Sequence, residues 1–100
     1  MDSFSALGEP NRRRLLDAIR ESPCTVTMLV EVAGLSQPAV SKHLKCLKEA
    51  NLVSVRPEGQ KRWYELNPDA LREFEAFLEP YRALLASRLD AREDHMDKTK

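Results

Sequence analysis

Hydrogen-bond donors are concentrated within residues 34–53, where they share one side of a predicted helix. The other side carries Val40, Leu44 and Leu47, whose spacing places them on one buried stripe. The outward side presents Gln37, Ser41, Lys42, Lys45 and Lys48. Such side chains donate to phosphate oxygens and to base edges in the major groove, so the segment indicates contact with DNA. An ordinary helical hairpin with solubilising lysines is the alternative.

A helix-turn-helix is the element that must position these donors. Ser36 is a suitable N-cap for the donor-bearing helix, and Pro38 fits its first turn because no intrahelical N–H bond is lost there. The free N–H groups at that helix start also attract an anion. Gly34 can end the preceding helix in the left-handed conformation. The apolar positions of that shorter helix are Val26, Leu29, Val30 and Ala33.

Charge is distributed unevenly along a chain whose net charge is zero. The 16 basic and 16 acidic side chains exclude a global positive field as the source of any affinity for nucleic acid. Residues 36–62 nevertheless contain six basic and two acidic side chains, whereas both flanks are slightly acidic. This distribution favours local contact with DNA over a protein that coats it.

The length of the chain bounds its organisation. We expect 100 residues to form one domain over residues 1–95, followed by a polar tail over residues 96–100. A core of this size is thin, which favours a homodimer. No apolar run is long enough to cross a bilayer and the first residues do not resemble a signal peptide, so we expect a cytoplasmic protein with no membrane partner. Two cysteines are too few for a disulfide scaffold.

A β-hairpin is predicted directly after the donor-bearing helix. The helical period changes to alternation after Val53, and the alternating apolar positions flank a turn at residues 57–60. The cations near this turn are Arg56, Lys61 and Arg62. A basic hairpin in this place is typical of a winged helix, whose wing contacts the adjacent backbone or minor groove. A surface hairpin with a polar turn is the alternative for these charges.

The first long helix is predicted to run from Pro10 to Glu21, after an additional turn that contains Phe4 and Leu7. Its residues 12–14 are consecutive arginines, which span most of the helix circumference and cannot all face DNA. We expect at least two of them to be solvated or to form intramolecular ion pairs.

The last helix is predicted to begin at Asn67 and Pro68, and Pro80 is expected to kink or restart it. Its apolar face is too large for the core of one protomer to hide, so we assign it to a dimer interface. The predicted interface residues are Phe4, Leu7, Leu71, Phe74, Leu78, Tyr81 and Leu85. The predicted fold class is therefore mainly α with a small β-hairpin wing, dimerising through the first and last helices.

The order of these motifs resembles the ArsR-type, or arsenic-repressor-like, bacterial transcriptional regulators. The resemblance rests on ALGEPNRRRLLDAI, GLSQPAVSKHLKCLKEANLV and RPEGQKRWYEL, and it covers residues 4–66. It implies a homodimeric winged helix-turn-helix that binds a palindromic operator in double-stranded DNA, usually as a repressor. It also implies DNA contacts for Ser36, Gln37, Pro38, Ser41, Lys42, His43 and Lys45, with Lys61 and Arg62 contributed by the wing.

The same resemblance argues against the metal-sensing subgroups. Arsenic and cadmium sensors have Cys-Val-Cys where this chain has Thr25, Val26 and Thr27, and Cys24 is displaced by one position. One thiolate cannot supply the two or three sulfurs of such a site. Zinc sensors place Asp and His pairs on the last helix, where we interpret Asp90, Glu93, Asp94, His95 and Asp97 as a solvated acidic tail. We therefore expect no metal and no cofactor, and any small-molecule effector stays unknown.

Three side chains leave alternatives open. Cys24 precedes a helix start, where the dipole could lower its pKa, so a redox-responsive repressor is one alternative. Cys46 is interpreted as a small buried apolar residue, and His43 is expected to hydrogen-bond a phosphate or neighbouring backbone. A winged helix that binds an acidic protein is a further alternative. No grouping of nucleophile, base and orienting residue is recognisable, so we do not expect an enzyme.

Overall fold

The computed structural model describes the backbone of residues 2–99 and the side chains of residues 2–88. Within this part of the chain the helices and strands follow in the order α1 (Ser3–Leu7), α2 (Pro10–Glu21), α3 (Val26–Ala33), α4 (Gln37–Glu49), β1 (Val53–Glu58), β2 (Lys61–Leu66) and α5 (Pro68–Thr99). The predicted class, mainly α with a β-hairpin, is confirmed. Each helix among the described residues is too short or too polar to cross a bilayer.

The hydrophobic core lies between α2, α3 and α4. Leu15 of α2 and Leu29 of α3 have no exposed surface. The predicted stripe of α4 packs against them, and Val40, Leu44 and Leu47 are at most 1% exposed. Because these side chains exclude water from the space between the three helices, they fix the orientation of α4. The orientation of its outward side is fixed with it.

The turn between α3 and α4 has the predicted geometry. Gly34 adopts a left-handed conformation with φ 66° and ψ 25°, and its N–H donates to the carbonyl of Val30 at 3.0 Å. Helix α4 begins at Gln37, where the Ser36 hydroxyl accepts a hydrogen bond from the N–H of Ala39 at 3.3 Å. The turn therefore satisfies backbone groups at the end of one helix and at the start of the next.

Helix α4 ends in a Schellman motif that the sequence did not lead us to expect. Asn51 takes the left-handed conformation with φ 65°, its N–H donates to the Lys48 carbonyl, and the N–H of Leu52 donates to the Leu47 carbonyl. The side-chain amide of Asn67 donates to the carbonyl of Asn51 at 2.9 Å. The end of α4 is therefore fixed to the start of α5.

Two of the three consecutive arginines cap the carboxyl end of α1. Arg12 donates through Nε to the carbonyl of Ala6 at 2.6 Å and through Nη2 to that of Ser5 at 3.3 Å. Arg13 donates through Nη1 to the carbonyl of Leu7 at 2.7 Å. Their role is intramolecular, as predicted for at least two arginines, but the partners are backbone carbonyls and not the expected carboxylates.

The hairpin turn is shorter than predicted. Pro57 and Glu58 belong to β1, and Gly59 and Gln60 alone form the turn. Gly59 has φ 63°, as the first position of a type II′ turn requires. The two-residue turn sets an antiparallel register that pairs Glu58 with Lys61 and continues to Val53 opposite Leu66. The prediction of a four-residue turn was wrong.

An isolated bridge attaches the link between α2 and α3 to the hairpin. The N–H of Cys24 donates to the carbonyl of Tyr64 at 3.1 Å, and the N–H of Tyr64 donates to the carbonyl of Cys24 at 2.8 Å. The base of the hairpin is therefore held beside the start of α3.

Helix α5 leaves the hairpin at Pro68 and extends to Thr99. It continues through Pro80 without interruption, so the predicted restart near this residue was wrong. The tail predicted for residues 96–100 continues the same helix as far as the backbone is described.

Candidate nucleic-acid interface

The outward side of α4 is exposed along its length. Every donor predicted for this side is exposed, namely Gln37, Ser41, Lys42, Lys45 and Lys48. No described carboxylate lies within 4 Å of the three lysine ammonium groups. This side can therefore donate to an anionic partner without first breaking an internal ion pair.

The start of α4 contributes backbone groups as well as side chains to the candidate interface. Ser36 and Pro38 are exposed, and Pro38 occupies the first turn. Because the Ser36 hydroxyl accepts from a backbone N–H, it is oriented by the helix that it caps. The positive end of the helix dipole lies at the same place.

His43 lies at the edge of this face and points inward. Its side chain is 18% exposed, and its Nδ1 atom is buried without a hydrogen-bond partner among the described residues. Nδ1 lies 3.9 Å from Oε2 of Glu9, the residue that caps α2. The backbone hydrogen bond that was one predicted role of His43 is therefore not made by Nδ1.

The wing cations differ in their surroundings. Arg56 donates through Nε to Glu65 at 2.9 Å and through Nη1 to Glu58 at 3.1 Å. These hydrogen bonds, that to Glu65 first, raise the pKa of the Arg56 guanidinium above its ordinary value. The two carboxylate partners that this cation already has argue against its predicted contact with DNA.

Lys61 and Arg62 are exposed at the tip of the hairpin, and no described carboxylate lies within 4 Å of either charged group. They line an open cleft of about 660 Å³ that separates the hairpin from the starts of α3 and α4. Gln37, the first residue of α4, lines the same cleft. The structure therefore places predicted donors of the helix and of the wing around one cleft.

Sequence reasoning missed four polar or aromatic residues that line this cleft. They are Thr25, Thr27, Gln60 and Trp63. The hydroxyl of Thr25 accepts from the N–H of Met28 at 3.3 Å and caps α3. Trp63 Nε1 is a buried donor without a partner among the described residues. A signal for Gln60 and Trp63 was present in the sequence, since both are adjacent to the lysine and arginine already singled out.

A second exposed surface is apolar and lies along α1 and α5. Phe4 is 40% exposed, and its ring packs edge-on against Phe74 and Phe77, with centroid separations of 4.6 Å and 5.3 Å. Leu7 and Phe74 are half-buried against the core. The other exposed side chains that we assign to this surface are Leu71, Phe77, Leu78, Tyr81, Leu84 and Leu85. We call this surface the α1/α5 apolar face.

The two cysteines are free thiols in different surroundings. Cys24 is buried, its thiol donates to the carbonyl of Ser22 at 3.3 Å, and burial raises the pKa of this thiol. Desolvation of the thiolate thus opposes the lowering of this pKa that the helix dipole could cause, and the redox-responsive alternative loses its motivating feature. Cys46 was predicted to be buried, but it is only half-buried.

Metal-ligating side chains do not converge among the residues described with side chains. Thr25, Val26 and Thr27 line the cleft, and among its described lining residues only Met28 carries a sulfur atom. The acidic residues weighed as zinc ligands, Asp90, Glu93, Asp94, His95 and Asp97, lie outside the residues whose side chains are described.

Comparison with known proteins agrees with this architecture. The family model described as "Bacterial regulatory protein, arsR family" matches residues 9–55, from the cap of α2 to the middle of β1. The transcriptional repressor SdpR of Bacillus subtilis is 34% identical over 70 residues, which cover 70% of this chain and 78% of SdpR. The chain belongs to the ArsR family.

Other ArsR-type proteins match at similar levels. The HTH-type transcriptional regulator Rv2034 of Mycobacterium tuberculosis is 41% identical over 69% of this chain, which spans 64% of the length of that regulator. The homodimeric winged helix-turn-helix DNA-binding domain Mb0332 of Mycobacterium bovis superposes with a TM-score of 0.66 at 25% identity, covering 79% of this chain and 74% of that one. The ArsR-type resemblance and the winged helix-turn-helix fold are thus confirmed.

Proposed function

We propose that this ArsR-family chain is a homodimeric transcriptional repressor that binds an inverted-repeat operator in double-stranded DNA. The observation that carries the proposal is the exposed side of α4, whose lysines have no described carboxylate partner while the opposite side is locked in the core. The repressor assignment is supported by similarity to SdpR, and the dimer by similarity to the Mb0332 domain.

Helix α4 is the reading element in this proposal. Lys42 and Lys45 contact phosphates and supply affinity that depends on salt, because binding releases counterions from the DNA. Gln37 and Ser41, nearer the helix start, face base edges in the major groove. The DNA backbone then passes along the cleft, where Lys61 and Arg62 neutralise phosphates.

The α1/α5 apolar face is the dimer interface in this proposal. Phe77, Tyr81 and Leu85 are each more than half exposed, an unusual degree for large apolar side chains that all lie along one helix. A twofold axis through this face covers it with the same face of a second copy. The two α4 helices then enter successive major grooves about 34 Å apart, so the half-sites lie about one helical turn from each other.

A mobility-shift titration on the DNA upstream of the chain's own gene tests this proposal. Specific binding should exceed binding to random DNA by on the order of a thousandfold or more at physiological salt. Gln37→Ala should relax the preference at one base position, whereas Lys45→Ala should weaken binding to all sequences. Equal affinity for the upstream fragment and for random DNA would contradict sequence-specific regulation.

A further inference from the structure

The Nδ1 atom of His43 faces an internal acceptor and not the DNA side of α4. This atom is buried without a hydrogen-bond partner among the described residues and lies 3.9 Å from Oε2 of Glu9. A neutral imidazole with its proton on Nε2 would present a lone pair to this carboxylate, which is unfavourable. The chemistry therefore places a hydrogen on Nδ1 that is directed toward Glu9.

Glu9 is held in place by the helix that it caps. Its Oε2 accepts from the N–H of Arg12 at 2.9 Å, and its Oε1 accepts from the side-chain amide of Asn11 at 3.3 Å. Its side chain is 32% exposed, so its charge is partly shielded from water. A fixed, partly buried carboxylate beside an imidazole is a point of attachment between α2 and α4.

The other charged groups on the elements that pack against α4 are engaged elsewhere or exposed. Arg12 and Arg13 direct their guanidinium groups to carbonyls of α1, and Arg56 of β1 is bound by two carboxylates. Glu31 of α3 is exposed, and so is Lys42 next to His43 on α4 itself. Glu9 is the described carboxylate within 4 Å of His43.

We propose that His43 is a positioning residue, which docks α4 on Glu9 at the amino end of α2, and that it does not itself contact DNA. The expected effect on operator binding rests on the proposed DNA-binding function, whereas the contact between His43 and Glu9 exists without DNA. A hydrogen on Nδ1 that is directed toward Oε2 of Glu9, 3.9 Å away, attaches the middle of α4 to the start of α2.

A double-mutant cycle on unfolding tests the contact without DNA. Wild type, Glu9→Gln, His43→Gln and the double variant are unfolded in urea at one protein concentration and one pH. The effect of Glu9→Gln on the unfolding equilibrium constant should be about fivefold larger with His43 present than in the His43→Gln background. Additive effects of the two substitutions would overturn the proposal.

Operator binding separates positioning from direct contact. Removal of a carboxylate near DNA ordinarily strengthens binding, and Glu49→Gln, at an exposed position of α4, is the matched control. Glu9→Gln should instead weaken operator binding about threefold, and His43→Gln should leave the salt dependence unchanged. A slope reduced by about 1 in His43→Gln, with Glu9→Gln behaving like the control, would establish a phosphate contact and overturn the proposal. Loss of operator preference in the wild type would instead refute the DNA-binding function and leave the unfolding cycle to decide the contact.

Discussion

The apolar stripes of α4 and α5 have the same helical spacing but opposite exposure. In α4, Leu44 and Leu47 are at most 1% exposed. In α5, Leu78, Tyr81 and Leu85 are 48%, 56% and 59% exposed. Spacing alone therefore predicts that a helix has an apolar side, but it does not predict whether the same protomer or a second one covers that side.

In the proposed dimer, this difference places the two stripes at two levels of assembly. The stripe of α4 stabilises the protomer, since it packs against α2 and α3. The stripe of α5 is left with Phe4 of α1 as an aromatic neighbour, and its burial requires a partner. Substitutions in the two stripes should consequently affect different measurements.

The largest expected effect is on the stability of the protomer. Leu44→Ala should lower the free energy of unfolding by about 2–5 kcal/mol, because it opens a cavity in the core. Leu85→Ala should cost the isolated protomer less than about 1 kcal/mol, because the side chain is more than half exposed. Urea unfolding over a range of protein concentrations measures both values, and equal losses would break the distinction between the stripes.

The next effect is on assembly. Leu78→Lys should convert the dimer to a monomer and weaken operator binding by at least about tenfold, since a cation is placed in an apolar interface. Ala76→Lys is the matched control on the polar side of α5, which it shares with Arg72, Glu75 and Glu79. Sedimentation analysis distinguishes the two variants. A dimeric Leu78→Lys variant would move the interface away from the α1/α5 apolar face.

A smaller effect separates free cations from paired ones. Lys45→Ala should reduce the slope of operator affinity against salt by about 1, because one phosphate contact is lost. Arg56→Gln should leave that slope unchanged, since Glu58 and Glu65 already hold the guanidinium. Titrations at several salt concentrations measure both slopes, and equal reductions would place Arg56 on the DNA.

How far the sequence predicted the site depended on whether a contact was local. Gly34, Ser36 and the α4 stripe follow from rules that act within one or two turns of helix, and the structure confirms them. The pairing of Arg56 with Glu65 depends on strand register, which the wrong turn length concealed. A four-residue turn would place Arg56 opposite Lys61, whereas the two-residue turn places it opposite Trp63 and diagonal to Glu65.

Spacing and composition could not predict contacts between segments that are distant in the sequence. Helices that are far apart in sequence bring Glu9 beside His43, and the bridge from Cys24 to Tyr64 joins a loop to a strand. Such contacts follow from the way in which the core packs, which requires the positions of all three central helices at once.

The smallest expected effect concerns Cys24. Since burial raises the pKa of this thiol, the neutral form is favoured, and its contribution to stability is present below the ordinary thiol pKa and lost as pH rises above it. Peroxide near neutral pH should therefore leave operator affinity unchanged in the wild type and in Cys24→Ser. Binding that is sensitive to peroxide in the wild type alone would restore the redox-responsive alternative.

The most direct test of the proposed function is a hydroxyl-radical footprint of the purified chain on the DNA upstream of its gene. An α4 helix in each of two protomers, related by the α1/α5 apolar face, predicts two protected tracts with twofold symmetry and centres about 10 base pairs apart. A single protected half-site at saturating protein, or protection that does not depend on sequence, would contradict the account.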